Sequence, residues 1–389
     1  MPSSLERYGS SEQVPPLRIL GIVQGDPWAP LTMSGAAASL LNALDRRFSV
    51  VQRLDYGLHG RRRIVQAAVT FRPRRHQWVA RFYLTPRAHR ALSATLADRL
   101  QGVDEPFDLA FQVHGWVSGQ PRPYFLYVDQ TWSQLQAGWP KMLTSRSARE
   151  KARGLERVMY GEAHHIFVMG EPARRSLIAD YEVPSGRISV TGGGCHFQSL
   201  PPPVAAPASE PRILFIGREF ERKGGEVLLQ AFRAVRARVP TATLHIVGSR
   251  RRFTDPGVLT HGIVANRDEM GRLYGRARLL CAPSLYEPWG FALVEAMAYG
   301  VPCIGTTVGS VPEILDRGRA GMLVPPGDVG ALADSIINLL SDDSLAWRLG
   351  IEGRKRVEHY YTWDRVVDAM VPAITSVRQR ARPTGIHDG

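Results

Sequence analysis

The chain has 389 residues, 44% of them hydrophobic, with a mean hydropathy of −0.17; this is enough for two domains with full cores, and no apolar run approaches the ~20 residues that span a bilayer. The net charge is +13, carried almost wholly by arginine, since only four of the 49 basic residues are lysine. Three cysteines, Cys195, Cys281 and Cys303, are odd in number and fit no zinc spacing, which argues against a disulfide framework or zinc site and for free thiols in a reducing compartment.

Residues 1–16 are polar and rich in Pro and Ser, without the apolar stretch of a signal peptide, and read as a disordered tail. A first strand is predicted over 17–23 (LRILGIV), followed by a loop and a helix over 36–47 (AAASLLNALDRR). Strand, loop and helix in that order open an α/β unit. From Tyr56 to Ala97 there is no acid, yet nine arginines occur: Arg61, Arg62, Arg63, Arg72, Arg74, Arg75, Arg81, Arg87 and Arg90. Such a stretch suits an anionic membrane or a phosphorylated acceptor, or is simply a solvated face. No reader motif for nucleic acid accompanies it, so nucleic acid is not an expected partner. Buried strands follow over 107–115 and 123–130, a helix over about 144–163, a strand in HHIFVMG, and a strand ending in the glycines of RISVTGGG.

Residues 201–211 are the best candidate linker, because a run of prolines holds neither a helix nor a central strand. Strand and helix then alternate again: RILFIG, a helix to about Arg238, ATLHIVG, ARLLCAP and VPCIGT. The reading is α/β, with two Rossmann-like doubly wound domains facing a central cleft, over 17–200 and 212–361. A helix over 362–378 is expected to cross back onto the first domain, before a tail at 379–389.

The stretch SLYEPWGFALVEAMAYGVPCIG carries two glutamates, Glu287 and Glu295, in an apolar setting. Pro288 suits a first helical turn, so a helix from Trp289 to Tyr299 would leave Glu287 in the loop and Glu295 inside. The two carboxylates would then stand ~8–12 Å apart along the axis. The positive helix start and the bare backbone of Gly290 between them would suit a diphosphate. A sugar, two phosphates and a ribose diol fit that spacing, with a carboxylate for the hydroxyls at each end. The alternative is structural: Glu287 caps the helix and Glu295 pairs with an arginine. Upstream, Arg218 and Lys223 in FIGREFERKGG lie between a strand and a helix, where two cations could neutralise a departing diphosphate. No Asp-x-Asp pair is present, so no metal and no cofactor beyond the donor substrate is expected.

These motifs together, EPWGFALVEAMAYGVPCIG with GREFERKGG upstream and AGMLVPPGD downstream, resemble the family-4 retaining glycosyltransferases, also called glycosyl transferases group 1, most strongly over about 210–370. The resemblance implies the GT-B fold and transfer of a hexosyl group from a nucleoside-diphosphate sugar to a glycan or glycolipid. It implies that Arg218 and Lys223 bind the diphosphate, that Glu287 holds the donor sugar and Glu295 the ribose, and that the backbone of Gly290 and Phe291 touches sugar and phosphate. It also implies front-face substitution, in which the leaving phosphate helps take the acceptor proton, so no dedicated nucleophile is expected. The first half departs from the pattern. Only Ser34-Gly35 stands where the family has a Gly-Gly loop, with Gly35 as the residue that lets the backbone approach a ligand. Asp129 stands where the family often has a histidine, and His114, ending the preceding strand, could face the same cleft; either could orient an acceptor. Trp116, Trp132 and Trp139 lie near these strand ends and could stack on sugars. The expected setting is cytoplasmic, peripheral at the inner membrane face. Two rivals remain at this point: a silent GT-B scaffold and a nucleotide-sugar epimerase.

Overall fold

The computed structural model describes residues 15–29, 32–73, 78–79, 82–83, 85–140, 146–197, 199–204 and 208–380. Most of both expected tails, and Arg74, Arg75 and Arg81 of the arginine run, lie outside the described residues. Among the described residues the strands form two sheets of six. The first contains β1 (Arg18–Val23), β2 (Ser49–Asp55), β3 (Leu109–Val113), β4 (Tyr124–Val128), β5 (His165–Val168) and β6 (Ile188–Val190) in the order β2-β1-β3-β4-β5-β6. The second contains β7 (Arg212–Ile216), β8 (Thr243–Val247), β9 (Val258–Gly262), β10 (Leu279–Ala282), β11 (Cys303–Thr306) and β12 (Met322–Val324) in the order β12-β11-β10-β7-β8-β9.

Every pairing is parallel. The central strands read accordingly: LAFQV and YFLYV are buried at every position, because helices cover both faces and leave no side for water. Helix α1 (Ala36–Arg47) buries Ala36, Ala37, Leu40, Leu41, Ala43 and Leu44, one continuous stripe. In each sheet the strand order reverses once, at β1/β3 and at β7/β10. In open α/β sheets, ligands bind in the crevice beyond the carboxyl ends of the strands at such a reversal.

The remaining helices used below are α2 (Gly60–Thr70), α3 (Pro86–Leu100), α4 (Trp132–Gly138), α5 (Arg146–Glu162), α6 (Glu171–Tyr181), α7 (Gly225–Arg238), α8 (Arg267–Gly275), α9 (Phe291–Ala298), α10 (Val311–Ile314), α11 (Val329–Ser341), α12 (Asp343–Tyr360) and α13 (Trp363–Arg380). Helix α13 returns from the second sheet to α1: Arg46 and Arg47 pair with Asp364 and Asp368 at 2.7 Å each. Both ion pairs are exposed and contribute little; the contact is held by Val366, Val367, Met370 and Ile374, which join α1 in a core shared by both sheets. Residues 201–204 and 208–211 are irregular. They are tied to the second unit through Arg354 to the Pro201 carbonyl at 2.6 Å and Val204 N–H to the Tyr299 carbonyl at 2.8 Å. All three cysteines are free and buried.

Candidate active site

The loops at the two reversal points face each other. On the second sheet, β7 leads into residues 217–224 and β10 into residues 283–290. Lys223 Nζ donates to Glu287 Oε2, and Ser284 Oγ donates to the same oxygen at 3.1 Å. Glu287 is 7% exposed, and its carbonyl lies so close to Gly309 that a Cβ there would sit 1.7 Å away. Arg218 is exposed at the rim of the same loop.

The helix after Glu287 begins later than its proline suggested. Gly290 adopts φ +131°, outside the helical region, and α9 starts at Phe291. Pro288 therefore belongs to the loop, not the first turn, because the chain must turn at Gly290 before a helix can form. Glu295 lies inside α9 as expected. It accepts from Tyr274 Oη at 2.8 Å and from Arg267 Nη1 at 3.1 Å, both on α8. Burial pushes its carboxyl up, opposed by those two donors. Glu295 is thus paired with an arginine, as the structural alternative has it, and Glu287 is engaged by a cation rather than by the helix start. Both carboxylates are held in place by donors that a polar ligand could replace. Phe291 packs against His196 with the rings tilted by 37° and their centroids 4.7 Å apart. Both His196 nitrogens are buried without a partner, and burial pushes the ring down to about 3.

On the first sheet, His114 directly follows β3 and Asp129 directly follows β4. His114 Nδ1 and Asp129 Oδ1 are 3.2 Å apart. His114 has φ +52°, a left-handed conformation that a non-glycine residue keeps only when its surroundings impose it. The two residues that the sequence placed in the cleft separately are therefore one pair. They line a cavity of about 450 Å3, within the ~300–1,000 Å3 usual for small-molecule sites. Trp116 and Trp132 also line it, whereas Trp139 does not. Gly35 is the N-cap of α1 at φ +91° and is not part of the lining; Gly25, after β1, is.

Several contributors escaped the sequence reading. Tyr286, next to Glu287, reaches across the cleft: its Oη donates to Gln130 Oε1 at 2.5 Å. Its ring occupies the space where a Cβ on Gly138 of α4 would lie, 2.1 Å from it. Arg222 Nη1 donates to the Tyr286 carbonyl at 2.8 Å, anchoring that loop from its own side. Glu313 on α10 accepts from the Glu171 N–H at the start of α6, at 3.1 Å, a second bridge between the halves. Glu156 of α5 is a buried carboxyl in the cavity wall. Adjacency to Glu287 was the one signal pointing to Tyr286; the other partners come from distant segments.

Residues 210–342 match the family model of glycosyl transferases group 1. Among curated proteins, the chain is 32% identical over 205 residues to a phosphatidyl-myo-inositol mannosyltransferase of Mycobacterium leprae, covering 50% of this chain and 53% of that protein. It is 30% identical over 228 residues to an O-antigen chain mannosyltransferase B of Escherichia coli, covering 51% and 58%. The chain thus spans less than two thirds of these relatives' length. Among solved structures it is similar to WaaG, a glycosyltransferase involved in lipopolysaccharide biosynthesis, with TM-score 0.66 and 15% identity, covering 91% of this chain and 99% of that one. It is also similar to a sucrose-phosphate synthase from Thermosynechococcus elongatus, with TM-score 0.64 and 21% identity, covering 94% and 100%. These likenesses establish the two-domain GT-B fold.

Proposed function

We propose, for a chain of GT-B fold whose residues 210–342 match the family model of glycosyl transferases group 1, that it moves a hexosyl group from a nucleoside-diphosphate sugar to a glycan or glycolipid, with retention and without a metal. The observation that carries this reading is the opposition of two polar pairs across one cleft: Lys223 with Glu287 on the second sheet and His114 with Asp129 on the first. In the donor complex Lys223 exchanges Glu287 for the diphosphate, and Arg218 joins it. Both cations then oppose the charge that grows on the leaving group. Glu287, released from Lys223, accepts from the sugar hydroxyls, and Glu295 exchanges Arg267 or Tyr274 for the ribose diol. The backbone at Gly290 and Phe291 lies against sugar and phosphate. The acceptor enters the cavity, where Asp129 orients His114 and the pair holds the reacting hydroxyl; the departing phosphate oxygen takes the proton.

The acceptor is read as membrane-borne because of α2. This helix is inverted: it buries Gln66 and Thr70, while Ile64, Val65 and Val69 are 69%, 56% and 47% exposed, followed by Phe71 at 56%. Exposed Arg61, Arg63 and Arg72 flank these apolar groups. Apolar side chains ringed by arginines that form no ion pair among the described residues fit an anionic lipid surface. No helix among the described residues is long and apolar enough to cross a membrane; the contact proposed through α2 is peripheral, at the cytoplasmic face.

The test is nucleotide release from UDP-, GDP-, ADP- and dTDP-sugars, with and without EDTA, beside a thermal-shift series with the free nucleotides. Turnover of one donor, unaffected by EDTA and lowered roughly 100-fold or more in Glu287→Ala, is the expected result. Stabilisation by no nucleotide and turnover of no donor would move the chain to the silent-scaffold reading.

A further inference from the structure

Strand β3, LAFQV, carries one polar side chain, Gln112, and that side chain is fully buried. An amide inside a central strand is costly unless its atoms are paired. The pairing goes to the loop that follows the strand. Gln112 Nε2 donates to the His114 carbonyl at 2.9 Å, and Oε1 accepts from Gln120 Nε2 at 2.7 Å. Gln120, itself buried, also donates to the Val117 carbonyl at 3.0 Å. The Nε2 of Gln112 makes one weaker contact, to Met159 Sδ at 3.9 Å. Each amide nitrogen faces a carbonyl oxygen, which fixes the orientation of both amides. Residues 114–120 are thus wrapped around one side chain of the strand they leave.

The wrapping holds a turn. The register with β4 ends at Val113 opposite Tyr127, and the His114 N–H still reaches the Tyr127 carbonyl at 2.7 Å. Beyond that bond the chain turns through two left-handed residues, His114 at φ +52° and Gly115 at φ +95°. Glycine takes this conformation freely; histidine does not. Gly115 is also required by space, since a Cβ there would lie 1.5 Å from Tyr56 Oη. With the His114 N–H fixed on Tyr127, any change of φ swings its carbonyl and its side chain together about the N–Cα bond. A donor that holds the carbonyl therefore holds the imidazole, whose Nδ1 stands 3.2 Å from Asp129 Oδ1.

We infer that Gln112 is a positioning residue of the transfer site: by taking the His114 carbonyl it keeps His114 in the left-handed conformation that pairs its ring with Asp129, and Gln120 locks the amide that does so. The consequence for catalysis rests on the transferase reading; the control of the ring does not.

NMR of the full chain with 15N-labelled histidine tests it, in buffer above the usual histidine range. The His114 signal is assigned by its absence from His114→Ala. A neutral imidazole that donates from Nδ1 to Asp129 carries its proton there, so the parent should show that tautomer alone. Gln112→Met keeps the volume without the polar atoms and should return His114 to mixed tautomers, as Asp129→Ala does by removing the partner. In nucleotide release from the sugar nucleotide that the parent turns over, Gln112→Met and His114→Ala should each cost about tenfold with donor KM unchanged. The double variant should fall no further than His114→Ala alone, because Gln112 acts through that ring. A merely structural role would lower melting and leave the tautomer as it is. Gln120→Leu leaves β3 intact and should move the ring in the same direction by less, so it decides the matter if Gln112→Met does not fold. Mixed tautomers already in the parent, a single Nδ1-protonated ring kept in the folded variants, or losses that add in the double variant would overturn the inference. The spectra need no substrate. A ring displaced as expected, in a chain that turns over no donor and is stabilised by no nucleotide, sinks the transferase reading alone and leaves Gln112 as the residue that sets His114.

Discussion

Glu156 shows at the scale of one residue how the acceptor side is built. Burial pushes its carboxyl up from 4.5 to about 7, against the hydrogen bonds from Tyr181, Tyr160 and the Trp132 N–H, which favour the charged form. The folded chain therefore keeps a proton that the unfolded chain has released. This group's contribution to stability falls as pH rises from the unfolded value through the folded one, and is constant above it, with a total on the order of 3 kcal/mol. Glu156→Gln mimics the protonated form. It should leave stability within ~1 kcal/mol of the parent near pH 5 and raise it by about 1–3 kcal/mol near pH 8. Denaturant unfolding of both proteins at the two pH values checks this; a difference that does not change with pH would show that Glu156 is not held neutral. Nothing in RSAREKARGLERVMYGE singles out that glutamate, because the helix reads as a charged solvent face and its tyrosine partner at 181 lies on another helix. Glu287 and Lys223 were legible because each sits where a strand gives way to a helix. Arg267 and Tyr274, the partners of Glu295, lie 28 and 21 residues away on α8, and no local pattern announces them. His114 and Asp129 were each visible as strand-end polar residues; that they form one pair follows from β3 and β4 being neighbours in register.

At the scale of the element, α2 inverts the usual rule. Gln66 Nε2 donates inward to the Phe82 carbonyl at 3.0 Å and Thr70 Oγ1 to the Gln66 carbonyl at 2.6 Å, so the buried face is satisfied by polar contacts. The apolar face is left to the outside. Charge alone marked this segment in the sequence, since a helix with valine and isoleucine reads as core-facing until its partner is known. Val69→Asp and Ile64→Asp should cut co-sedimentation with phosphatidylglycerol vesicles by about tenfold or more and leave melting within about 1 kcal/mol of the parent, because exposed positions carry little stability. Equal vesicle binding by the variants would remove α2 from the membrane. The helix after Glu287 teaches the complementary lesson. Its existence was legible from the apolar run FALVEAMA, but its start was not, because Pro288 is compatible with a first turn and only the φ of Gly290 decides otherwise.

For the whole molecule, the two sheets were legible from the alternation of strands and helices restarting after residue 211, whereas the closeness of their loops was not, since it depends on contacts between segments far apart in the chain. Tyr286 and Gln130 are 156 residues apart, yet their bond joins the loop of Glu287 to that of Asp129. The same ring fills the space above Gly138, the last residue of α4. Taken locally, Gly138→Ala should stabilise α4 by roughly 0.5–1 kcal/mol, since alanine restricts the unfolded chain and favours a helix. In the folded molecule its Cβ would meet the tyrosine ring, so the two loops must move apart or the ring must leave. Closure matters because transfer needs donor and acceptor held within near-attack distance, and small displacements cost much of that advantage. Gly138→Ala should therefore lower glycosyl transfer by about tenfold while donor hydrolysis by water falls less. The same substitution in a Tyr286→Ala background should cost almost nothing further, because the clash has been removed. The four proteins form a cycle whose non-additivity measures the contact. A simple sum of the two losses would mean that tyrosine and glycine act separately, and that the cleft is held closed by the Glu313 bridge and the shared core beneath α1 and α13 instead.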